Sequence, residues 1–479
     1  MSIVDAGASA GTNPRMIAGN TTPKTDAFRR GRDQSIADLL HLFSVCAPVA
    51  WVRRSVAARS DLTILSESCC VNAGVHRVGL PSPRSIAFGG APPAGSGFGG
   101  SVRLEEVAYM AWAKTHLEEP GIRNLGSSGI RDLLTMDDLG DLMRGLSVWG
   151  HNEDGLPELR EAIAARYGVA ASSVLAAEGT SLANFLVLAA WVRPGDPVLL
   201  EEPFYEPLGA ALGAVGARVE RVPVDGPEGH TRLLDRLKSG GRVRWRAAVA
   251  THPHNPTGEP ICEDLLDALA EACASQGGLL MVDEAYREIL FEDPPACAAR
   301  GRPAVVSTAS LTKVYGLSHL RIGWAIGPSD LIARAIRIHD NLGVVHPFLT
   351  EAIGARILRD SRRMEDWRAR IRSRVEANRS ALGSLLEDRP ELQGCLPPGG
   401  ILAFPRWGGH PHLPDADSLC ERLRREVKVV LVPGRFFQRP DHVRIAVGGP
   451  EGEVREALAA LGRFLAEQGG SLPPERRRG

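Results

Sequence analysis

Ser310-Leu-Thr-Lys313-Val-Tyr-Gly-Leu-Ser-His-Leu-Arg321-Ile-Gly-Trp-Ala325 follows the short apolar run Ala304 to Val306, and its reading decides the fold. A lysine placed just past a buried strand, with a glycine-punctuated segment and an arginine eight residues on, suits a primary amine that condenses with an aldehyde in a sheltered site. Taken alone, it is also what a surface lysine looks like. The segment gains meaning from what precedes it: apolar runs recur at Pro197 to Leu200, Ala247 to Ala250 and Leu279 to Val282, separated by stretches long enough for helices. Such runs predict parallel strands buried on both faces, and hence an α/β layered fold.

Each run is followed by residues that carry chemistry. Glu178-Gly179-Thr180-Ser181 opens the helical stretch Leu182 to Trp191, where backbone N–H groups and two hydroxyls suit a dianionic phosphate, although an ordinary N-cap has the same composition. Tyr205, in Glu201-Glu-Pro-Phe-Tyr205, puts an aromatic ring at a strand's carboxyl end, for a flat ligand or for the core. In His252-Pro-His-Asn255-Pro-Thr-Gly258, the Asn255 amide is a neutral donor suited to a phenolate oxygen. The two histidines there invite a zinc reading, but nothing completes a ligand set and no metal is expected. Asp283, ending Gly278-Leu-Leu-Met-Val-Asp283-Glu-Ala-Tyr286, is a buried acid that needs a cation or serves as a helix cap, and Tyr286 offers a further donor. Ser310 and Arg321 are suited to phosphate. Arg444, inside the apolar run Val443 to Val447, demands an anion: a substrate carboxylate or an internal acid.

Read in order, these segments supply the parts of a pyridoxal phosphate site. From about Val102 to Ala466 they resemble the class I and II aminotransferases, the aspartate-aminotransferase-like fold type I of pyridoxal-phosphate enzymes. The resemblance implies a large domain with a mainly parallel, seven-stranded-type sheet, a smaller α+β domain built from both chain ends, and a homodimer with sites at its interface. It implies Lys313 as Schiff-base lysine and proton shuttle, Asp283 on the pyridine nitrogen, Asn255 and Tyr286 on the ring hydroxyl, and Tyr205 stacked on the ring. Gly179, Thr180, Ser181, Ser310 and Arg321 would hold the phosphate, and Arg444, with Gly129 and Asn255, the substrate. Asn255-Pro256 becomes a candidate cis bond. Where relatives carry a tyrosine that crosses the dimer, this chain reads Ser147-Val-Trp149-Gly-His-Asn152-Glu-Asp-Gly155, with Trp149 or Asn152 as substitutes. Asn341 to His346 provides no arginine for an acidic side chain, so an aspartate-specific enzyme is not implied.

The expected activity is therefore transfer of an α-amino group from an amino acid to a 2-oxo acid. A lyase or cyclase on the same scaffold is the alternative, and an aminotransferase-like transcription regulator a distant one, since Ile36 to Phe43 is the only short helical candidate in the N-terminal region. The 479 residues, 44% hydrophobic with a formal net charge of -1, give no basic groove for nucleic acid and no polybasic membrane patch. The eight cysteines form no C-x-x-C pair, which fits a reducing cytoplasm. The organisation expected is an extension over 1–101, a small-domain part and substrate lid over 102–149, a large cofactor domain over 150–335, a C-terminal small domain over 336–468 and a frayed tail over 469–479. The extension, with ten Arg/Lys against six Asp/Glu and a Gly/Pro/Ser-rich end, is expected to be disordered, or to be sequence upstream of a unit that starts near Val102.

Overall fold

The computed structural model describes residues 104–469, apart from 226–227, 240, 242 and 294. The expectations for 1–101 and for most of the tail lie outside the described residues. Seven strands form the central sheet: β1 (Val174–Ala177), β2 (Pro197–Glu202), β3 (Arg218–Pro223), β4 (Ala247–Thr251), β5 (Leu279–Asp283), β6 (Val305–Ser310) and β7 (Gly323–Ile326). Their spatial order is β1-β7-β6-β5-β4-β2-β3. All neighbours run parallel except β7, which is antiparallel to both β1 and β6. The inner strands are buried on both faces because helices cover the sheet, and this explains the apolar runs Val198 to Leu200, Ala247 to Ala250, Leu279 to Val282 and Val305 to Val306 within them. The edge strand β3 reads Arg-Val-Glu-Arg-Val-Pro, a charged edge of the kind that resists pairing with another chain.

The helices are α1 (Ala108–His116), α2 (Pro157–Tyr167), α3 (Thr180–Trp191), α4 (Glu206–Ala214), α5 (Thr231–Lys238), α6 (Glu263–Ala274), α7 (Ser329–His339), α8 (Phe348–Arg359), α9 (Ser361–Asp388), α10 (Ala416–Glu426) and α11 (Glu451–Gly469). The charged stretch Arg356 to Leu386 spans two helices, α8 and α9. Asp360 separates them, leaving helical geometry at φ -90°, ψ 82° and accepting the Arg363 N–H as the N-cap of α9. In the C-terminal part, Leu402–Ala403 and Val432–Pro433 flank Val443–Ala446 in an antiparallel sheet. Arg123–Asn124 pairs in parallel with Val429–Val430, so residues ahead of the central sheet join a strand that follows it. Among the described residues no helix is long and apolar enough to cross a membrane.

Strand direction positions the site. The carboxyl ends of β1, β2, β4, β5 and β6 and the amino end of β7 share one edge of the sheet. Residues 178–181, 201–205, 251–255, 283–286, 310–313 and 321 follow or precede those ends, which is where open α/β sheets place ligands.

Candidate active site

A cavity of about 170 Å³ lies at that edge, lined by Lys313, Asp283, Asn255, Tyr205 and Tyr286, and by Thr180, Ser181 and Arg321. Met110, Thr251, Ala285, Thr312 and Ser318 complete its wall. Sequence segments up to 211 residues apart, from Met110 to Arg321, thus meet around one lysine. A second hollow of about 410 Å³ shares Lys313, Thr312, Tyr205, Met110 and Ser318 and extends past Ser128, Gly129 and Tyr109.

Lys313 occupies the turn after β6, and its Nζ donates to Ser128 Oγ at 3.2 Å. Its carbonyl accepts from Ile130 N at 2.8 Å, so the 128–130 segment lies against the lysine on both sides of its backbone. Gly129 belongs to that contact: a Cβ there would stand 3.4 Å from the Lys313 carbonyl oxygen. The turn is fastened from below by Glu288, which accepts from Tyr315 Oη, Tyr167 Oη and the Arg166 guanidinium. Every partner in that buried group is satisfied by another, which makes the turn a rigid platform.

Asp283, at the end of β5, is buried, and both of its oxygens accept from neutral donors: Oδ2 from Asn184 Nδ2 at 2.8 Å and Oδ1 from Ala285 N at 3.0 Å. Burial pushes its carboxyl up to about 6, opposed by the Asn184 hydrogen bond. Asn184 is oriented in turn by Thr308, whose hydroxyl donates to Oδ1.

At the start of α3, Gly179 has φ +89°, and a Cβ on it would fall 2.3 Å from Arg321 Nη2. Only glycine lets the guanidinium come this close to the helix terminus. Arg321 Nη2 donates to the Glu178 carbonyl at 2.9 Å. Thr180 Oγ1, Ser310 Oγ and Thr312 Oγ1 form a hydroxyl chain with links of 2.8 and 2.6 Å. A helix N-terminus, a guanidinium and clustered hydroxyls converge here, the donor set a phosphate dianion requires.

Arg444 is fully buried in the C-terminal sheet and donates to Asn255 Oδ1 (3.1 Å), Tyr109 Oη (2.9 Å) and the Gly126 carbonyl (3.0 Å), none of them a carboxylate. Its Nε makes no hydrogen bond among the described residues. By occupying Asn255 Oδ1 it leaves the Nδ2 donors for other partners, as expected of an amide that faces a phenolate. Burial opposes ionisation of Tyr109, but the neighbouring Arg444 and Lys313 cations hold its hydroxyl below the ordinary phenol range.

These donors and acceptors fit pyridoxal phosphate on the geometry alone: a cradle closed to any Cβ, an acid with no cation of its own, and a lysine between them. Sequence reasoning missed Tyr109, Ser128 and Asn184. Asn184 had a readable signal, an amide within the otherwise apolar run Leu182 to Trp191. Tyr109 had none, since it meets Arg444 across 335 residues. Two expectations are corrected. Among the described residues the cis bonds are Glu202-Pro203 and His252-Pro253, directly after β2 and β4, whereas Asn255-Pro256 is trans within a turn closed by Gly258 N donating to the His254 carbonyl at 2.7 Å. Asn152 is not free to reach a partner, because its Nδ2 is committed to the His346 carbonyl and Glu351 Oε2, both at 2.9 Å.

Known proteins are similar to this chain. The family model described as aminotransferase class I and II matches residues 151–461. The chain is 32% identical over 379 residues to capreomycidine synthase of Streptomyces vinaceus, covering 77% of this chain and 92% of that protein. It is 28% identical to the arginine–pyruvate transaminase of Pseudomonas aeruginosa, over 65% of this chain and 81% of that one. Among solved structures, a PLP-dependent cyclase superposes with a TM-score of 0.67 at 28% identity, covering 76% of this chain and 98% of its own. A single mutant of Thermus thermophilus aspartate aminotransferase does so with a TM-score of 0.65 at 25% identity, covering 74% and 95%.

Proposed function

We propose that this chain, which belongs to the class I and II aminotransferases and takes pyridoxal 5'-phosphate as its cofactor, moves the α-amino group of an amino acid to a 2-oxo acid at the cavity around Lys313. One observation carries the assignment of residues. A buried acid whose hydrogen-bond donors are all neutral, Asp283, shares the cavity with Lys313, and a buried guanidinium whose acceptors are all neutral, Arg444, bonds to Asn255 in the wall of that cavity. The cofactor ring nitrogen and the substrate carboxylate are the opposite charges that satisfy them.

When bound, the cofactor supplies an electron sink that acidifies the substrate α-carbon. The remaining work falls to the protein. Gly179, Thr180, Ser181, Ser310 and Arg321 would hold the phosphate, and Tyr205 would pack against the ring. Asp283 would keep the ring nitrogen charged, and Asn255 Nδ2 and Tyr286 Oη would donate to the ring oxygen. Arg444, with Gly129 and Asn255, orients the substrate carboxylate, and Lys313 Nζ removes and returns the α-proton while Ser128 Oγ steadies it.

Arg444→Lys keeps the charge but loses the planar fork that binds a carboxylate through two parallel hydrogen bonds. Loss of a buried, hydrogen-bonded charge contact costs about 2–5 kcal/mol, so kcat/KM is expected to fall by at least about 30-fold, chiefly through KM. An unchanged KM would remove Arg444 from the substrate site.

The likeness to capreomycidine synthase and to a PLP-dependent cyclase supports a second reading, a cyclisation or elimination at the same residues. The two separate cleanly in a product assay with individual amino acids. Stoichiometric 2-oxo acid that appears only when an acceptor is present supports transfer; consumption of the amino acid without acceptor, with ammonia or a cyclic product, supports the alternative.

The partner we propose is a second copy of the chain. Of the nine large hydrophobic residues exposed among the described residues, six lie in two touching segments: Val148 and Trp149, and Leu342, Val344, Val345 and Leu349. The segments meet where Asn152 bonds the His346 carbonyl and where Gly150 abuts the Phe348 ring. A concentrated apolar patch of this kind marks an interface. Val344→Asp is expected to convert a dimer to a monomer in sedimentation, and a variant that sediments as wild type would place the interface elsewhere. A cytoplasmic setting is supported by five unpaired cysteines among the described residues.

A further inference from the structure

Beside the phosphate cradle lies a cluster of ionisable groups that the proposed reaction does not use. Glu178, the residue before Gly179, points its side chain toward the end of α7 and the loop after it. Glu178 Oε1 lies 3.4 Å from His339 Nε2 and 3.6 Å from His346 Nδ1, and His346 Nδ1 lies 3.5 Å from Glu351 Oε1. Ligand atoms bound at about 2.0–2.1 Å around a tetrahedral ion stand about 3.3 Å apart, and the donor atoms of Glu178, His339 and His346 all lie within 4.8 Å of one another, close to the span of such a site before any ring moves. Both imidazoles are 1% exposed.

The cluster is also electrically and sterically unfinished. Neither nitrogen of His346 has a hydrogen-bond partner among the described residues, nor do His339 Nδ1 and Glu178 Oε2, although all four atoms are buried. Glu351 Oε2 is engaged by Asn152 Nδ2 and Leu156 N, which leaves Oε1 facing His346. The nearby Arg160 guanidinium is spent on the carbonyls of Val174 and Ala171. Two carboxylates thus face two imidazoles with no lysine or arginine paired to them among the described residues.

We propose that Glu178, His339 and His346, with Glu351 Oε1 as a fourth donor, form a site for a divalent transition-metal ion of the zinc type. The two rings are stacked 3.8 Å apart at 5°, so one ion cannot lie in both ring planes until a ring turns. His346, which no hydrogen bond holds, is the ring that turns. The ion would tie the 340–347 loop, with its exposed Leu342, Val344 and Val345, to the residue whose carbonyl anchors Arg321. It would thereby brace the cofactor cradle against the apolar patch. Because its donors are separate from Lys313, Asp283 and Arg444, the proposal stands or falls independently of the transamination reading.

The test uses the full-length holoenzyme with its thiols alkylated, stripped by chelator and then dialysed against Zn²⁺ alone, with bound metal measured by mass spectrometry. The wild type is expected to retain one ion per chain. Glu178→Gln and His346→Gln should each weaken binding at least about 10-fold, as losing a ligand or its support does, while His412→Gln at the exposed surface should change nothing. Retention by His346→Gln equal to wild type, or no retention by the wild type, would overturn the site. If the variants fold poorly, the wild type still decides. Zn²⁺ should raise the melting temperature of the stripped protein and chelator should reverse the rise, whereas an unchanged melting temperature means that only protons or water occupy the cluster.

Discussion

Lys313→Ala is expected to lose turnover by at least about 10⁴-fold and, with it, the absorbance of the lysine-bound cofactor. Two functions vanish together: the covalent tether, and the base that moves the α-proton, itself worth up to about 10⁴-fold. The fold should survive. The turn that carries the lysine is held by Glu288 through Tyr315, Tyr167 and Arg166, and none of these contacts involves the lysine side chain. Far-ultraviolet circular dichroism that matches wild type, combined with lost activity and lost absorbance, is the predicted pattern. Retained turnover in a correctly folded variant would exclude Lys313 as the shuttle.

The second large effect is expected at Asp283. Asp283→Asn preserves size and keeps one acceptor oxygen for either Asn184 Nδ2 or the Ala285 N–H, but turns the other oxygen into a donor and removes the charge that the ring nitrogen needs. Removing one member of a buried ion pair costs about 3–5 kcal/mol, or roughly 10²- to 10⁴-fold in rate. The loss should appear in kcat more than in cofactor affinity, because the phosphate anchors at Thr180, Ser310 and Arg321 are untouched. Measuring kcat and the cofactor dissociation constant separately checks this. A variant that releases cofactor yet turns over normally when saturated with it would show that Asp283 holds the cofactor without driving the chemistry.

How much of this was legible in the sequence follows from where each residue's environment comes from. β2, β4, β5 and β6 were legible because each carries a short apolar run where the strand is buried on both faces. β3 was hidden because an edge strand alternates charge with valine, and β1 and β7 because four residues such as Val-Leu-Ala-Ala or Gly-Trp-Ala-Ile carry no period. The cofactor pocket was legible because each of its loops directly follows a strand and carries its own local motif. The substrate side was less so. Arg444 needs an anion on its sequence alone, but its neighbours Tyr109 and Gly126 lie more than 300 residues away, and long-range contacts such as the pairing of Arg123–Asn124 with Val429–Val430 and the bond from Ala446 N to the Leu125 carbonyl bring the two chain regions together. Glu178, His339 and His346 escaped notice for the same reason, since 161 residues separate the first two.

The most direct test is chemical. Borohydride reduction of the holoenzyme followed by peptide mapping should place a pyridoxyl group on Lys313 and on no other lysine. Reduction that leaves Lys313 unmodified in a yellow, cofactor-loaded preparation, or that marks a different lysine, would contradict the assignment on which the proposed site rests.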